Sequence, residues 1–321
     1  MSRRAAQSTP SAPAFDPLRV DLADLIRLQA RAAKLPLRRS FRARAALAGQ
    51  YQSRFRGRGV DYLESRHYLP GDDIRNMDWR VTARTGKAHT KVFQEERERP
   101  VVLVIDRNPS MFFATQGALK AVVAARLAAL IAWSAVRGGD RIGGFVYGGS
   151  GHHELKPGGG RRGAMRLLRQ LAQWLDPSTQ AAAAATIEPL SDALERLRHV
   201  ARPGTLVVLI SDFYAQHEAL ERPLSRLRQH NDVIAWQVLD PIEASGLPQG
   251  VYPVSDGEHN RLLRLQSAQD LDLHQQQLAS AYNTAPEILR RHGCACLRLL
   301  TSDDPVTMMS RSLHQLNGQT R

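Results

Sequence analysis

The sequence predicts a doubly wound α/β domain on a mostly parallel sheet, preceded by a helical arm and a turn-rich segment. Three observations predict it. Val101–Ile105 and Thr205–Ile210 are short, continuous apolar runs with the texture of strands buried on both faces. Helical stretches separate such runs, and that alternation specifies a parallel sheet covered on both sides. The texture also changes at Pro100, from polar, Gly-rich sequence to alternating elements.

Each element follows in order. Residues 1–15 are rich in Ser, Pro and Ala and read as a disordered tail. Residues 16–58 form a basic helical arm, with Leu18, Leu22, Leu25 and Ile26 at helical spacing and an interruption near Pro36. Turns at Gly57-Arg58-Gly59 and Pro70-Gly71 mark the polar stretch whose residues 59–99 make a separate segment. Residues 100–315 carry the α/β pattern. Its strands are Val101–Ile105, Arg141–Tyr147, an edge strand at His152–Lys156, Thr205–Ile210, Val233–Leu239 and Cys294–Leu300. Its helices are Ala118–Val136, Arg162–Leu175, Leu190–Val200, His217–Gln229, Leu271–His292 and one after Asp304-Pro305.

A chain of 321 residues suggests two domains at roughly 150 residues each, with a core that needs no staples. With 43% hydrophobic and 23% charged residues, disorder throughout is excluded. The Ala118–Val136 helix is broken by Lys120 and Arg126, so it does not read as membrane-spanning. The N-terminus lacks the apolar stretch of a signal peptide. Cys294 and Cys296 stand one residue apart, which excludes a disulfide framework and places both on one strand face as core cysteines. The expectation is a cytoplasmic chain with no stable membrane insertion. Of the net charge of +13, residues 1–58 carry +10. Charge this local implies an acidic partner for the arm: nucleic acid, anionic lipid or an acidic protein. A solvated amphipathic helix from Val20 to Leu35 is the other reading.

Common catalytic motifs are missing: there is no Gly-Lys-Ser/Thr, no His-Glu-x-x-His and no G-x-S-x-G. Gly158, Gly160 and Gly163 match G-x-G-x-x-G but lack the acidic residue about 20 positions on, so they read as a glycine-rich turn. In doubly wound sheets ligands bind outside the carboxyl ends of strands. Asp106-Arg107-Asn108-Pro109-Ser110 follows one buried run, Ser211-Asp212 another, and Thr186 precedes a helix. Hydroxyl, carbonyl and carboxylate oxygens together suit Mg²⁺. Helix capping by the two aspartates is the competing reading.

Asp106 to Met111 resembles the D-x-S-x-S motif of von Willebrand factor A domains, with Thr186 and Asp212 where that fold supplies its other metal-site motifs. The resemblance implies a Mg²⁺ site formed by Asp106, Asn108, Ser110, Thr186 and Asp212, with one position open to a partner's carboxylate. Asn108 departs from the family's serine. Gly59 to Glu98 resembles the signature of the DUF58 family through Arg66, Tyr68, Gly71, Asp72, Asp73, Arg75, Asp78, Trp79, Ala83, Arg84 and Glu96-Arg97-Glu98. That resemblance continues through the von Willebrand-like part. It implies a non-enzymatic interaction module, accessory to a MoxR-type AAA+ ATPase or its client protein. Physically, Asp72, Asp73, Arg75, Asp78 and Arg84 read as an ion-pair network that fixes the segment, or as a docking surface. A nuclease-like use of Asp72, Asp73 and Glu95 is the enzymatic alternative.

Overall fold

The computed structural model describes residues 15–33, 35, 60–70, 72–95, 98–149, 151–177, 187–215, 219–255 and 259–318. The chain divides into two compact units, residues 48–98 and the remainder. Residues 1–14 of the expected 1–15 tail and the stretch 36–59 lie outside the described residues.

The larger unit begins with helix α1 (Leu22–Ala32), capped by Asp21, whose carboxylate accepts the Ala23 N–H at 2.9 Å. The smaller unit is a hairpin of β1 (Val60–His67) and β2 (His89–Glu95) around the short helix α2 (Trp79–Thr85).

The larger unit resumes with β3 (Pro100–Asp106), α3 (Lys120–Arg137), β4 (Arg141–Tyr147), β5 (His153–Gly158) and α4 (Gly160–Trp174). Then come α5 (Leu190–Leu197), β6 (Leu206–Ser211), α6 (Glu221–Arg228), β7 (Asp232–Leu239) and α7 (Pro241–Ser245). A hairpin of β8 (Gly250–Ser255) and β9 (Asn260–Leu265) precedes α8 (Ala268–Arg291), β10 (Ala295–Leu300) and α9 (Pro305–Gly318). The main sheet has the order β10-β7-β6-β3-β4-β5. It is parallel except for β5, which pairs antiparallel with β4 at the edge.

Strand alternation divides the core. Val101, Leu103 and Ile105 face α1, α3, α4 and α9, while Val102 and Val104 face α5, α6 and α8. Helix α1 is thus part of the larger unit's core: Leu25, Leu28 and Ala32 are buried, and the Trp133 indole N–H donates to the Leu25 carbonyl at 3.0 Å. Arg126, on the apolar helix α3, donates to the Asp16 carbonyl at 2.8 Å and lies 4.9 Å from the Phe15 ring. Gly158 and Gly163 pack closely, since a Cβ on Gly163 would stand 2.2 Å from the Gly158 carbonyl oxygen, while Gly160 supplies a φ of 62° in open space. Cys294 is buried and Cys296 half-buried, its thiol pushed up to about 11 by burial. Among the described residues no helix is long and apolar enough to cross a membrane.

Candidate functional site

β3 and β6 are parallel neighbours in the middle of the sheet, paired Ile105 to Ile210, so Asp106 and Ser211 end side by side. Asp106 is fully buried. Its Oδ2 accepts the Ser211 hydroxyl at 2.6 Å and the Tyr147 hydroxyl at 3.0 Å, and its Oδ1 accepts the Asn108 N–H at 2.7 Å. Burial, with the charge of Asp212 nearby, pushes its carboxyl up to about 7 despite those donors. Burial and the Asp106 charge raise the Tyr147 phenol well above its usual range, so it stays a donor.

Asn108 is also buried, and its side chain imitates a strand pair. Its Nδ2 donates to the Glu188 carbonyl at 3.0 Å, and its Oδ1 accepts the Glu188 N–H at 2.9 Å. The Glu188 carboxylate in turn accepts the Gly148 N–H at 3.0 Å and pairs with Arg196. Gly148 has φ of 105°, and a Cβ there would stand 2.7 Å from the Asn108 nitrogen. The loops after β3 and β4 are therefore tied to the segment entering α5. Ser110 lies half-buried in the 3-10 turn (Pro109–Phe112). Thr186 lies outside the described residues.

The third part of this edge centres on Lys120, in the first turn of α3 and fully buried. Its Nζ is 2.7 Å from Asp212 Oδ2 and 2.6 Å from Glu243 Oε1. Asp212 Oδ1 accepts the Tyr214 N–H at 3.0 Å. Glu243 accepts the Tyr282 hydroxyl at 2.6 Å and the Asp240 N–H at 2.8 Å, the latter part of a capping box on α7. The Tyr282 and Phe113 rings lie 5.6 and 5.8 Å from Nζ, within cation–π range. Tyr214 tilts against Tyr282 at 5.2 Å between ring centroids. Asp240 ends the neighbouring strand and accepts from Thr115 Oγ1 at 2.5 Å, the Thr115 N–H at 2.6 Å and Thr301 Oγ1 at 3.1 Å. Burial pushes the Asp240 carboxyl up, but these and further backbone donors hold it below the usual range. Phe213, Ala215 and Ala219 adopt φ of 57, 51 and 52°, left-handed backbone that non-glycine residues rarely take. Strain of this kind gathers where a loop is held for function.

Both aspartates form Asx turns, Asp106 to the Asn108 N–H and Asp212 to the Tyr214 N–H, yet neither caps a helix. The expected Mg²⁺ ligands meet only in part. Asp106, Asn108 and Asp212 converge on one sheet edge, but their oxygens do not fit a divalent ion. Mg²⁺ requires near-octahedral oxygen donors at about 2.0–2.1 Å. Asp212 Oδ2 already holds the Lys120 ammonium, the Asn108 oxygen holds the Glu188 N–H, and Asp106 holds three donors. A buried positive charge beside those carboxylates repels a second cation. Among the described residues no group of three His, Cys, Asp or Glu side chains is placed to hold a metal.

In the smaller unit the signature aspartates fasten turns. Arg66 pairs with Asp72 at 2.6 Å, and Asp72 Oδ2 accepts the Leu69 N–H at 2.9 Å. Asp73 caps the 3-10 turn (Ile74–Asn76), accepting the Arg75 N–H at 3.0 Å. Asp78 caps α2 through the Val81 N–H at 3.2 Å and accepts the Ser65 hydroxyl at 2.5 Å. Instead of the expected ion-pair network, the described part has one ion pair and two caps, because each carboxylate has a backbone N–H of its own turn two or three residues away; Asp73 and Asp78 take only such local donors or a hydroxyl, and Asp72 adds Arg66 to its own. Arg75 and Arg84 are exposed, Arg84 in the last turn of α2 where the helix dipole favours it. The Tyr68 N–H donates to the Ala88 carbonyl at 2.9 Å, and Trp79 opens α2 with 66% of its surface exposed. Gly71 and the Glu95 side chain lie outside the described residues. Asp72 and Asp73 serve separate turns, not a convergent carboxylate pair.

Lys120, Glu243, Tyr147, Asp240 and Tyr282 belong to this candidate site and were missed by the sequence reading. Two signals were present. A lysine opens a mostly apolar helix, and Asp240-Pro241-Ile242-Glu243 is a capping box directly after an apolar strand.

The model of the family described as "Protein of unknown function DUF58" matches residues 64–301. Uncharacterized proteins of Mycobacterium bovis and Mycobacterium tuberculosis are each 32% identical over 212 residues, 66% of this chain and 65% of theirs. The match thus spans slightly less than two thirds of those relatives' length. Among solved structures, the conserved hypothetical protein BatB from Bacteroides thetaiotaomicron is similar with a TM-score of 0.41 and 14% identity, over 68% of this chain and 99% of that one. A von Willebrand factor type A protein from Catenulispora acidiphila gives 0.37 and 12%, over 72% of this chain and 44% of its own. The SpRpn10 VWA domain gives 0.35 and 9%, over 68% and 95%.

Proposed function

This chain belongs to the DUF58 family, and we propose that it is a non-enzymatic protein-interaction module. It works in the cytoplasm as an accessory partner of a MoxR-type AAA+ ATPase, in maturing or remodelling a client protein. The ATPase comes from the family resemblance in the signature segment. The interaction role rests on one observation at the sheet edge. Phe113, Ile187 and Tyr214 expose 40, 60 and 43% of their surfaces, on the loop after β3, the segment before α5 and the loop after β6. Beneath them the polar groups of Asp106, Asn108, Asp212 and Lys120 are occupied by one another or by neighbours in the chain. An apolar rim on loops held in place from below suits a protein surface better than a small polar substrate. The cationic residues 1–58 add an acidic surface as a second contact.

The test is retention of the purified MoxR-type ATPase on immobilised full-length chain. Ile187→Ser should weaken retention while the melting temperature holds, since that side chain is 60% exposed. Undiminished retention, or none by the wild-type chain, removes this reading.

A further inference from the structure

We infer that the Lys120 ammonium is the resident cation of this sheet edge, fixing the loops around Asp106 and Asp212 without a divalent metal. The inference rests on the geometry at Lys120 and stands apart from the partner proposed above. Lys120 carries two costs. Its side chain is fully buried, and it opens α3, where the helix dipole presents positive charge and no acidic residue stands in the first turn. The compensation comes from far along the chain: Asp212 at 2.7 Å and Glu243 at 2.6 Å, with the Tyr282 and Phe113 rings on its flanks. These contacts join the start of α3 to the loop after β6 and to α7, and through the Tyr282 hydroxyl to α8.

A bound divalent ion would cross-link such carboxylates only at sufficient free concentration. A lysine on the chain does so at every concentration, and no chelator removes it. The oxygens around it are arranged for N–H donors. Asp212 gives one oxygen to Nζ and the other to a backbone N–H, and Glu243 gives one to Nζ and the Tyr282 hydroxyl and the other to the Asp240 N–H. Removing the ammonium leaves two carboxylates facing a space vacated by a side chain, beside Asp106. That arrangement should accept an oxygen-seeking divalent cation.

The experiment compares the full-length wild-type and Lys120→Ala chains, by thermal unfolding and by calorimetric titration with Mn²⁺. The wild-type chain should melt at the same temperature in millimolar MgCl₂, in MnCl₂ and in EDTA, and should bind no Mn²⁺ in the titration. Lys120→Ala should melt several degrees lower in EDTA, regain part of the loss with MnCl₂, and bind Mn²⁺ saturably. If Lys120→Ala does not fold, the Lys120→Met, Asp212→Asn, Glu243→Gln chain decides the matter. Without the charges it should fold and ignore Mn²⁺, and a failure to fold overturns the inference. Saturable Mn²⁺ binding by the wild-type chain that Asp212→Asn abolishes also overturns it. So does a Lys120→Ala chain that is as stable as wild type in EDTA, or one that is destabilised but indifferent to Mn²⁺.

Discussion

In the smaller unit, Asp72, Asp73 and Asp78 bond to backbone N–H groups only two or three residues away, at Leu69, Arg75 and Val81. In the larger unit, Asp212 meets Lys120 across 92 residues, Asp106 meets Ser211 across 105, and Asp240 meets Thr115 across 125. Backbone donation, from Leu69, holds Asp72 below the usual carboxylate range, and the Ser65 hydroxyl does so for Asp78. Burial instead pushes Asp106 up to about 7. One residue type therefore plays two physical parts. In the smaller unit it fastens a turn. Inside the sheet edge its charge needs a partner that only the folded chain supplies.

The largest contrast should come from breaking the buried pair. Asp212→Ala leaves the Lys120 ammonium buried with Glu243 as its remaining ion-pair partner among the described residues, and loss of one partner of a buried pair costs about 3–5 kcal/mol. Urea unfolding at neutral pH would measure it. A loss within the scatter of surface variants would place Asp212 with the turn-fastening aspartates.

The next effect is one of pH. The folded carboxyl of Asp106 lies above its ordinary 3.8, near 7, so the folded state holds the proton more tightly in that window. Its contribution is fully present below about pH 3.8 and is lost as pH rises towards 7, by at most about 1.4 kcal/mol per pH unit. Asp106→Asn cannot titrate, so stability relative to wild type should climb from pH 4 to 7. A flat difference would mean that Asp106 is ionised throughout.

The smallest effects belong to the smaller unit. Asp78→Ala removes a helix cap and should lower the melting temperature by a few degrees at neutral pH. Because its folded carboxyl lies below 3.8, that contribution persists above pH 3.8 and fades only as pH falls through the lowered value. Asp72→Asn removes a solvent-exposed ion pair and should change almost nothing. A thermal scan of both variants ranks them, and the reverse order would mean that the Arg66–Asp72 pair carries the turn.

The sequence by itself determined the doubly wound sheet. Apolar runs and helical spacing are local patterns, so strands β3, β4, β6, β7 and β10 emerged within a residue or two of their ends. The β8–β9 hairpin was not legible, because its Val and Leu residues are broken up by Pro253, Arg261 and Arg264 and are largely exposed, so they give no continuous buried run. Asp106 and Asp212 were found for the same local reason, each following a buried strand. What surrounds them was decided by tertiary structure. Lys120 in the sequence is only a break in an apolar helix. Its partners lie 92 and 123 residues away, and nothing in local spacing selects Asp212 and Glu243 among the acidic residues of the chain. Packing α3 against the sheet brings the three together, and the cost of an unpaired buried charge then holds them there.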